Sequence, residues 1–243
     1  MKDNSLIIIP TYNEAENITV VINMIFSLDD CHSILVVDDN SPDGTSNIVS
    51  NLKKDYQDKL FLITREKKDG LGSAYRVGFK WAMEKNFNYI FEMDADLSHD
   101  PNEIKKLKSL LVNGECDVAI GSRYLEGVSV VNWPLSRIFL SYFANIYVRF
   151  ITCMPVKDST SGFVGFSIKA LSSLDINKIK FNGYAFQIEM KFKLWKKKFK
   201  LKEHQIIFVN REHGDSKMNK NIIFEAIIGV IKLKLNSIFK KNE

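Results

Sequence analysis

Short apolar runs alternate with helix-spaced stretches through the first 120 residues of the chain. Ser5 to Pro10, Ser33 to Asp38, Leu60 to Thr64, Tyr89 to Met93 and Asp117 to Ile120 each read as a strand. Four of the five are continuously apolar rather than alternating, which is expected of strands covered on both faces. Between them, Ile18, Val21, Ile22 and Ile25 recur at helical spacing, as do Val77, Trp81 and Lys85 after an expected cap at Ser73. Strand, helix and strand repeated in this way predict an α/β fold on a parallel sheet with right-handed crossovers. Ligands in such sheets bind beyond the carboxyl ends of the strands. Polar clusters stand at those places: Thr11 to Glu14, Asp38 to Ser41, Asp94 to Asp96 and Gly121 to Arg123.

After about residue 128 the pattern changes. Leu135 to Val156 is long, apolar and aromatic, interrupted by Arg137, Asn145 and Arg149, and predicts one or two helices with a greasy face. Ile222 to Leu235 is a second such stretch, broken by Glu225 and Lys232. No internal repeat or Pro/Gly/Ser-rich linker divides the chain, so one domain with a C-terminal extension is expected.

Composition narrows the class. With 243 residues, 45% apolar and 26% charged, the chain can bury a full core, which excludes disordered and collagen-like proteins. Cys31, Cys116 and Cys153 fit neither a disulfide framework nor a zinc spacing, and a reducing cytoplasm is the expected compartment. No apolar run approaches the length of about 18 residues that a membrane span needs. Charge is uneven: residues 1–184 carry 20 basic and 23 acidic groups, residues 185–243 carry 14 and 6. A basic tail can meet anionic lipid or nucleic acid, and an acidic front part can hold a cation.

The chemistry-bearing residues follow the strands. Asp94 and Asp96 flank one residue at the end of a strand and point the same way if strand geometry persists, so two hard oxygen donors could bind Mg²⁺ or Mn²⁺. Asp38 or Asp39 is placed to accept hydrogen bonds from a ribose or base, while Asp43 reads equally as a turn or cap residue. Gly70 and Gly72 allow a close backbone turn beside a ligand, but no Walker loop is present. His32, His99, His204 and His213 are scattered and read as structural, and no nucleophile elbow occurs.

Taken together, IIIPTYNE (7–14), VVDDNSPDGT (36–45), GLGSA (70–74), MDADLSHDP (93–101), GSRY (121–124), DSTSGF (158–163) and REHGDSKM (211–218) resemble the inverting family 2 glycosyltransferases. More narrowly they resemble the polyprenyl-phosphate (dolichol-phosphate) mannose synthases, in family order across most of the chain. The resemblance implies a GT-A-type nucleotide-sugar-binding fold with a mainly parallel sheet and C-terminal amphipathic helices. It implies a catalytic domain over 1–218 and a membrane-associating extension over 219–243. The implied activity moves a hexose, mannose from GDP-mannose or a sugar from a UDP-sugar, onto a polyprenyl monophosphate at the membrane surface, in a cytoplasmic, peripherally associated protein. By motif, Pro10, Tyr12, Glu14, Asp39 and Ala74 line the nucleoside side. Asp94 and Asp96 manage the metal and diphosphate, Arg123, Arg211 and Lys217 contact phosphates, and Arg137 and Ser141 form the acceptor-phosphate site. The chain departs from the family pattern at Val164, where an arginine usually follows Ser-Gly-Phe, and at Gly127-Val128, where a Gly-Gly pair is usual; both bear on sugar and acceptor specificity.

Two other readings stay open. One is a glycosyltransferase of the same fold acting on a polysaccharide or lipid-linked glycan acceptor. The other, of a different class, is a basic nucleic-acid-binding protein that holds a single strand on Lys191 to Lys202, where seven lysines interleave with Phe192, Trp195 and Phe199. Those three aromatics fall on one helix face, so an amphipathic surface helix is expected there instead of a nucleic-acid partner.

Overall fold

The computed structural model describes residues 4–28, 32–210 and 220–239; for Tyr184, 220–226 and Phe239 it describes the backbone only. Cys31, His213, Arg211, Lys217 and the boundary at 218/219 lie outside the described residues or side chains. In chain order the elements are β1 (Ser5–Thr11), α1 (Ile18–Phe26), β2 (His32–Asp38), α2 (Thr45–Tyr56), β3 (Leu60–Thr64), α3 (Leu71–Met83), β4 (Tyr89–Glu92) and α4 (Glu103–Val112). They continue with β5 (Val118–Ser122), β6 (Val130–Val131), α5 (Leu135–Thr152), β7 (Val164–Ser167), α6 (Ile168–Ser172), α7 (Tyr184–Lys196), β8 (Leu201–Gln205), β9 (Phe208–Val209) and α8 (Lys220–Phe239).

Seven strands form one sheet in the order β3-β2-β1-β4-β7-β5-β8, and β6 pairs with β9 in a small second sheet. All pairings in the large sheet are parallel except those of β7, which runs antiparallel between β4 and β5. The apolar strands are covered on both faces, as their composition demands. Leu6 and Ile8 pack with Ala74, Tyr75 and Phe79 of α3 and with α7 on one side; Ile7 and Ile9 pack with Ile18, Val21, Ile22 and Ile25 of α1 and with α4 on the other. Residues one apart on a strand thus serve opposite layers. Helix α8 continues the first layer: Val230 and Leu233 are buried in it, Tyr147 of α5 donates to the Ile227 carbonyl at 2.9 Å, and Gly229 lies under the Phe181 ring.

Four expectations need correction. Helix α3 opens at Gly70, whose φ of 83° suits glycine, and not at Ser73, whose hydroxyl reaches back one turn to Asp69 at 3.0 Å; Lys85 falls beyond the helix end. The close approach at Gly72 is to the protein itself, since its N–H bonds the Asn182 carbonyl and a Cβ would stand 2.7 Å from the Phe181 carbonyl oxygen. Strand β4 ends at Glu92, so the strand alternation expected to align Asp94 with Asp96 is not what orients them, and Leu97 turns through φ 61°. The lysine-rich run is no surface helix: Lys191 is fully buried, Phe192 nearly so, α7 stops at Lys196, and Phe199 follows a turn at Lys198 with φ 69°.

The antiparallel strand β7 was not evident from apolar patterning because its four residues include Gly165, whose α-hydrogens face the ring of Phe91. A Cβ there would sit 2.5 Å from Phe91 Cε1 and 3.0 Å from Leu111 Cδ1. Gly165→Ala is therefore expected to destabilise the fold by about 1–3 kcal/mol through overpacking, read as a lower urea midpoint at unchanged slope.

Candidate active site

The carboxyl ends of β1, β2 and β3 stand in register, Thr11 beside Asp38 and Asp38 beside Thr64. Asp38 is spent inside the protein: its carboxylate accepts from Thr11 Oγ1 at 2.7 Å, Ser41 Oγ at 2.6 Å, Ser46 Oγ at 2.6 Å and the Ser41 N–H at 2.9 Å. Of the two neighbours, Asp39 is the one available to a ligand. Its Oδ1 lies 3.1 Å from Arg65 Nε, yet no well-formed hydrogen bond reaches that oxygen or Arg65 Nη1. Burial raises the Asp39 carboxyl above its ordinary value against the pull of Arg65. Tyr12 stands at the same end, its ring carrying Lys68 Nζ at 4.0 Å. Pro10 is half-buried beside it, Glu14 accepts from Asn17 Nδ2 at 2.9 Å, and Ala74 is buried in the first turn of α3. Asp43 proves structural, taking the Thr45 N–H and hydroxyl on one oxygen and the Ala15 N–H on the other.

Past β4 the chain forms an irregular loop holding Asp94, half-buried, and Asp96, buried, whose Oδ1 accepts the Ser98 N–H at 3.1 Å. His99 fixes this loop from below. Its ring stacks on Phe163 at 4.8 Å, and its Nδ1 accepts the Asp94 N–H at 3.2 Å, so the ring is neutral with its proton on Nε2. Burial agrees, pushing its pKa down to about 4. Among the described residues no third His, Cys, Asp or Glu joins these two carboxylates in a metal-sized cluster. Gly162 stands beside this pair, a Cβ at its position lying in ordinary contact distance, 4.0 Å, of Asp94 Oδ1. Two hard carboxylate donors at one strand end fit the ligand preference of Mg²⁺ or Mn²⁺, which complete their shells with water and substrate phosphate.

Beyond β5, Arg123 meets Asp158. Because β7 is antiparallel, the loop that precedes it, 158–163, arrives at the same sheet edge as the carboxyl ends of the parallel strands. Arg123 donates from Nε to Asp158 Oδ2 and from Nη2 to Oδ1, both at 2.7 Å, and its backbone N–H adds a third bond at 2.9 Å. Burial alone would raise the Asp158 carboxyl; Arg123 holds it below the usual carboxylate range. The rest of the loop is equally tied. Asn145 of α5 accepts from Ser159 N and Oγ at 2.8 and 2.7 Å, Glu203 of β8 accepts from Asp158 N at 2.8 Å, and Lys191 of α7 donates to the Ser159 and Ser161 carbonyls at 3.2 and 2.7 Å. Nearby, Arg137 of α5 stacks over Trp133 at 3.8 Å and donates to Asn210 Oδ1 at 2.9 Å, with Ser141 one turn further along.

A family model described as glycosyl transferase family 2 matches residues 6–175. The chain belongs to that family. It is similar to a polyprenol monophosphomannose synthase of Mycolicibacterium smegmatis, 39% identical over 93% of this chain and 85% of that one. It is likewise similar to an undecaprenyl-phosphate mannosyltransferase of Micrococcus luteus, 36% identical over 93% and 92%. Among solved structures it resembles a glucosyl-3-phosphoglycerate synthase of Mycobacterium tuberculosis, crystallised with Mn²⁺ and UDP, at TM-score 0.69 and 17% identity over 97% of this chain and 80% of that one, a likeness of fold. The chain is thus a glycosyltransferase on a GT-A fold, as its motifs implied. Asp158, Asn145, His99, Glu203 and Lys191 were not anticipated as parts of the site. Asp158 sat visibly in the DSTSGF motif; Lys191 was hidden because a buried lysine and a solvated one look alike in a basic run.

Replacing Asp158 by Asn leaves Arg123 buried without its counter-charge and is expected to cost about 3–5 kcal/mol of stability. The pH dependence follows from the lowered pKa. The unfolded carboxyl takes up its proton first as pH falls, so the stabilisation is complete above the ordinary Asp range near about 4 and is lost as pH falls through the lowered native value. Urea titrations from pH 7 to 2 should show this acid limb in the wild type and a shallower one in Asp158→Asn.

Proposed function

We propose that this glycosyltransferase transfers mannose from GDP-mannose to a polyprenyl (dolichyl) monophosphate at a membrane surface, with residues 1–218 as the catalytic domain and 219–243 as a membrane-associating extension. The observation that carries this reading is the meeting, at one sheet edge, of a carboxylate pair, the Arg123–Asp158 assembly and the Arg137–Ser141 face of a helix whose opposite side is exposed and apolar. The substrates in the relatives' names, a polyprenol and an undecaprenyl phosphate, support it.

In this reading Pro10, Tyr12, Glu14 and Asp39 hold the nucleoside, with Ala74 packed behind. Asp94 and Asp96 would hold a divalent cation, Mg²⁺ or Mn²⁺, which when bound would supply charge neutralisation at the leaving diphosphate. His99 keeps the Asp94 backbone in place, and Arg123, fixed by Asp158, presents a rigid positive wall that needs no reorganisation. Arg211 and Lys217, outside the described residues, complete the phosphate contacts. The acceptor, already anionic near neutral pH, needs little help from a general base, in keeping with the neutral His99 whose Nδ1 is occupied. Attack by its oxygen on the anomeric carbon in a single displacement gives a β-linked product from an α-linked donor.

The membrane part rests on α5 and α8. Leu135, Phe139, Phe143, Ile146 and Phe150 make one exposed apolar row on α5, with Phe150 81% exposed, and Ile227, Ile231, Leu235 and Ile238 make another on α8. Among the described residues no helix is long and apolar enough to cross a membrane. Rows of this kind lie in the interface plane, with the basic C-terminal part drawn to anionic headgroups.

Two outcomes are expected. Transfer of labelled mannose to undecaprenyl phosphate should stop with excess chelator and return with Mg²⁺ or Mn²⁺, and Asp96→Asn should slow turnover by roughly a hundredfold or more; undiminished rates in chelator would contradict the metal assignment. In flotation assays the protein should bind vesicles containing anionic lipid at low salt, and Phe143→Asp with Phe150→Asp should release it. Binding unaffected by those changes would remove α5 from the membrane surface.

A further inference from the structure

Helix α7 sends a lysine into the core. Lys191 is fully buried, and its Nζ lies among oxygen atoms: it donates to the Ser161 carbonyl at 2.7 Å, the Ser159 carbonyl at 3.2 Å, and the side-chain and backbone oxygens of Gln187 at 3.2 and 3.4 Å. The other end of the Gln187 amide, Nε2, donates to Glu92 Oε2 at 2.9 Å. Glu92 is fully buried as well, and its second oxygen, Oε1, has no hydrogen-bond partner. A buried ammonium or carboxylate is costly unless an opposite charge answers it. Both groups show that strain: burial lowers the Lys191 ammonium against the pull of Glu92 and Asp158, and raises the Glu92 carboxyl against the pull of Lys191 and Gln187.

The strand register shows what stands beside Glu92. It pairs directly with Val164 of the antiparallel strand β7, and directly opposed residues point to the same face. Val164 is fully buried and fills that place with methyl groups and no charge. This is the position where, in the family pattern, an arginine follows Ser-Gly-Phe. An arginine there would rise beside the Glu92 carboxylate, on the face that α7 covers, since Val164 shares its core layer with Phe186 and Ile188 of α7. In this chain the positive charge on that face comes from α7.

We propose that Lys191 replaces, from α7, the buried positive charge that the family pattern carries on β7, and that it is a positioning residue for both halves of the site. Its contacts reach each half. Ser159 follows Asp158, the partner of Arg123. Ser161 precedes Gly162, which stands beside Asp94, and Phe163, which stacks with His99. Through Gln187 the lysine also reaches Glu92, at the end of the strand that leads into the carboxylate loop. One ammonium thus ties the end of β4 to the loop 158–163, and groups that stabilise developing charge act only when held in place beforehand. This rests on the reading of Asp94, Asp96 and Arg123 as the groups that meet the donor's diphosphate.

Moving the charge tests the assignment. Lys191→Met keeps the bulk and removes the charge, Lys191→Ala removes both, and Val164→Arg places a second charge beside the first. Val164→Arg combined with Lys191→Ala returns the charge to β7 and shortens the α7 side chain to make room. Transfer from GDP-mannose to undecaprenyl phosphate should fall roughly tenfold to a hundredfold in each single variant, the scale of a misplaced reacting group. The loss should lie in kcat rather than in the acceptor KM. The double variant should regain at least about tenfold over Lys191→Ala, with a higher urea midpoint, because the two changes are coupled and do not add. Losses that add, leaving the double variant below both of its single variants in rate and midpoint, show packing alone and overturn the proposal. So does a Lys191→Met enzyme with the wild-type kcat, or a double variant that fails to fold. If the wild type transfers nothing to undecaprenyl phosphate, the function proposed above fails, and the urea midpoints of the same variants still uphold or overturn the relocation of charge.

Discussion

The buried pair of Arg123 and Asp158 is the contact on which the site's geometry turns. Withdrawing both charges from water is expensive, and their attraction offsets that only when the remaining hydrogen-bond capacity is met. Here it is met: two side-chain bonds at 2.7 Å run in parallel, a backbone N–H adds a third, and Thr160 takes another guanidinium proton at 2.9 Å. Around this pair the loop 158–163 loses its freedom. Asn145, Glu203 and Lys191 reach it from α5, β8 and α7, so three elements distant in sequence are pinned to one short segment.

That segment reaches the sheet edge only because β7 runs against its neighbours. In an all-parallel arrangement the loop before a strand would lie at the opposite edge, away from the clusters that follow β1, β2, β4 and β5. Its antiparallel insertion sets Gly162 beside Asp94 and Phe163 beneath His99, and His99 in turn holds the Asp94 backbone. The carboxylate loop and the arginine are thus coupled through packing. Tyr12 and Asp39 stand at the ends of β1 and β2 on one side of this loop assembly, and α5 with Arg137 stands on the other.

Much of this was legible in the residues. Short apolar runs, four of them continuous, located five strands to within a residue or two because strands buried on both faces leave little alternative. The polar clusters were found because the topology rule makes strand ends the place for ligands. Ser73 misled because its side chain suits a cap, whereas the left-handed backbone at Gly70 decided where α3 begins. Strand β7 escaped because four residues around a glycine carry almost no periodic signal, and its direction is a property of the whole sheet. Lys191 escaped for another reason: its burial depends on carbonyls some thirty residues away. Between Asp38 and Asp39 residue type could not choose, and the hydroxyls of Thr11, Ser41 and Ser46 chose by occupying Asp38.

In the proposed reaction the acceptor phosphate is the nucleophile of one in-line displacement, in which arginines and the cation that Asp94 and Asp96 would hold manage charge and no covalent sugar intermediate forms. The stereochemistry of the product tests that claim most directly. The mannosyl phosphate formed from α-linked GDP-mannose and undecaprenyl phosphate should show, in its one-bond carbon–hydrogen coupling at the anomeric position, the β configuration. A product of α configuration would require two successive displacements and a nucleophile on the enzyme, and would contradict the account.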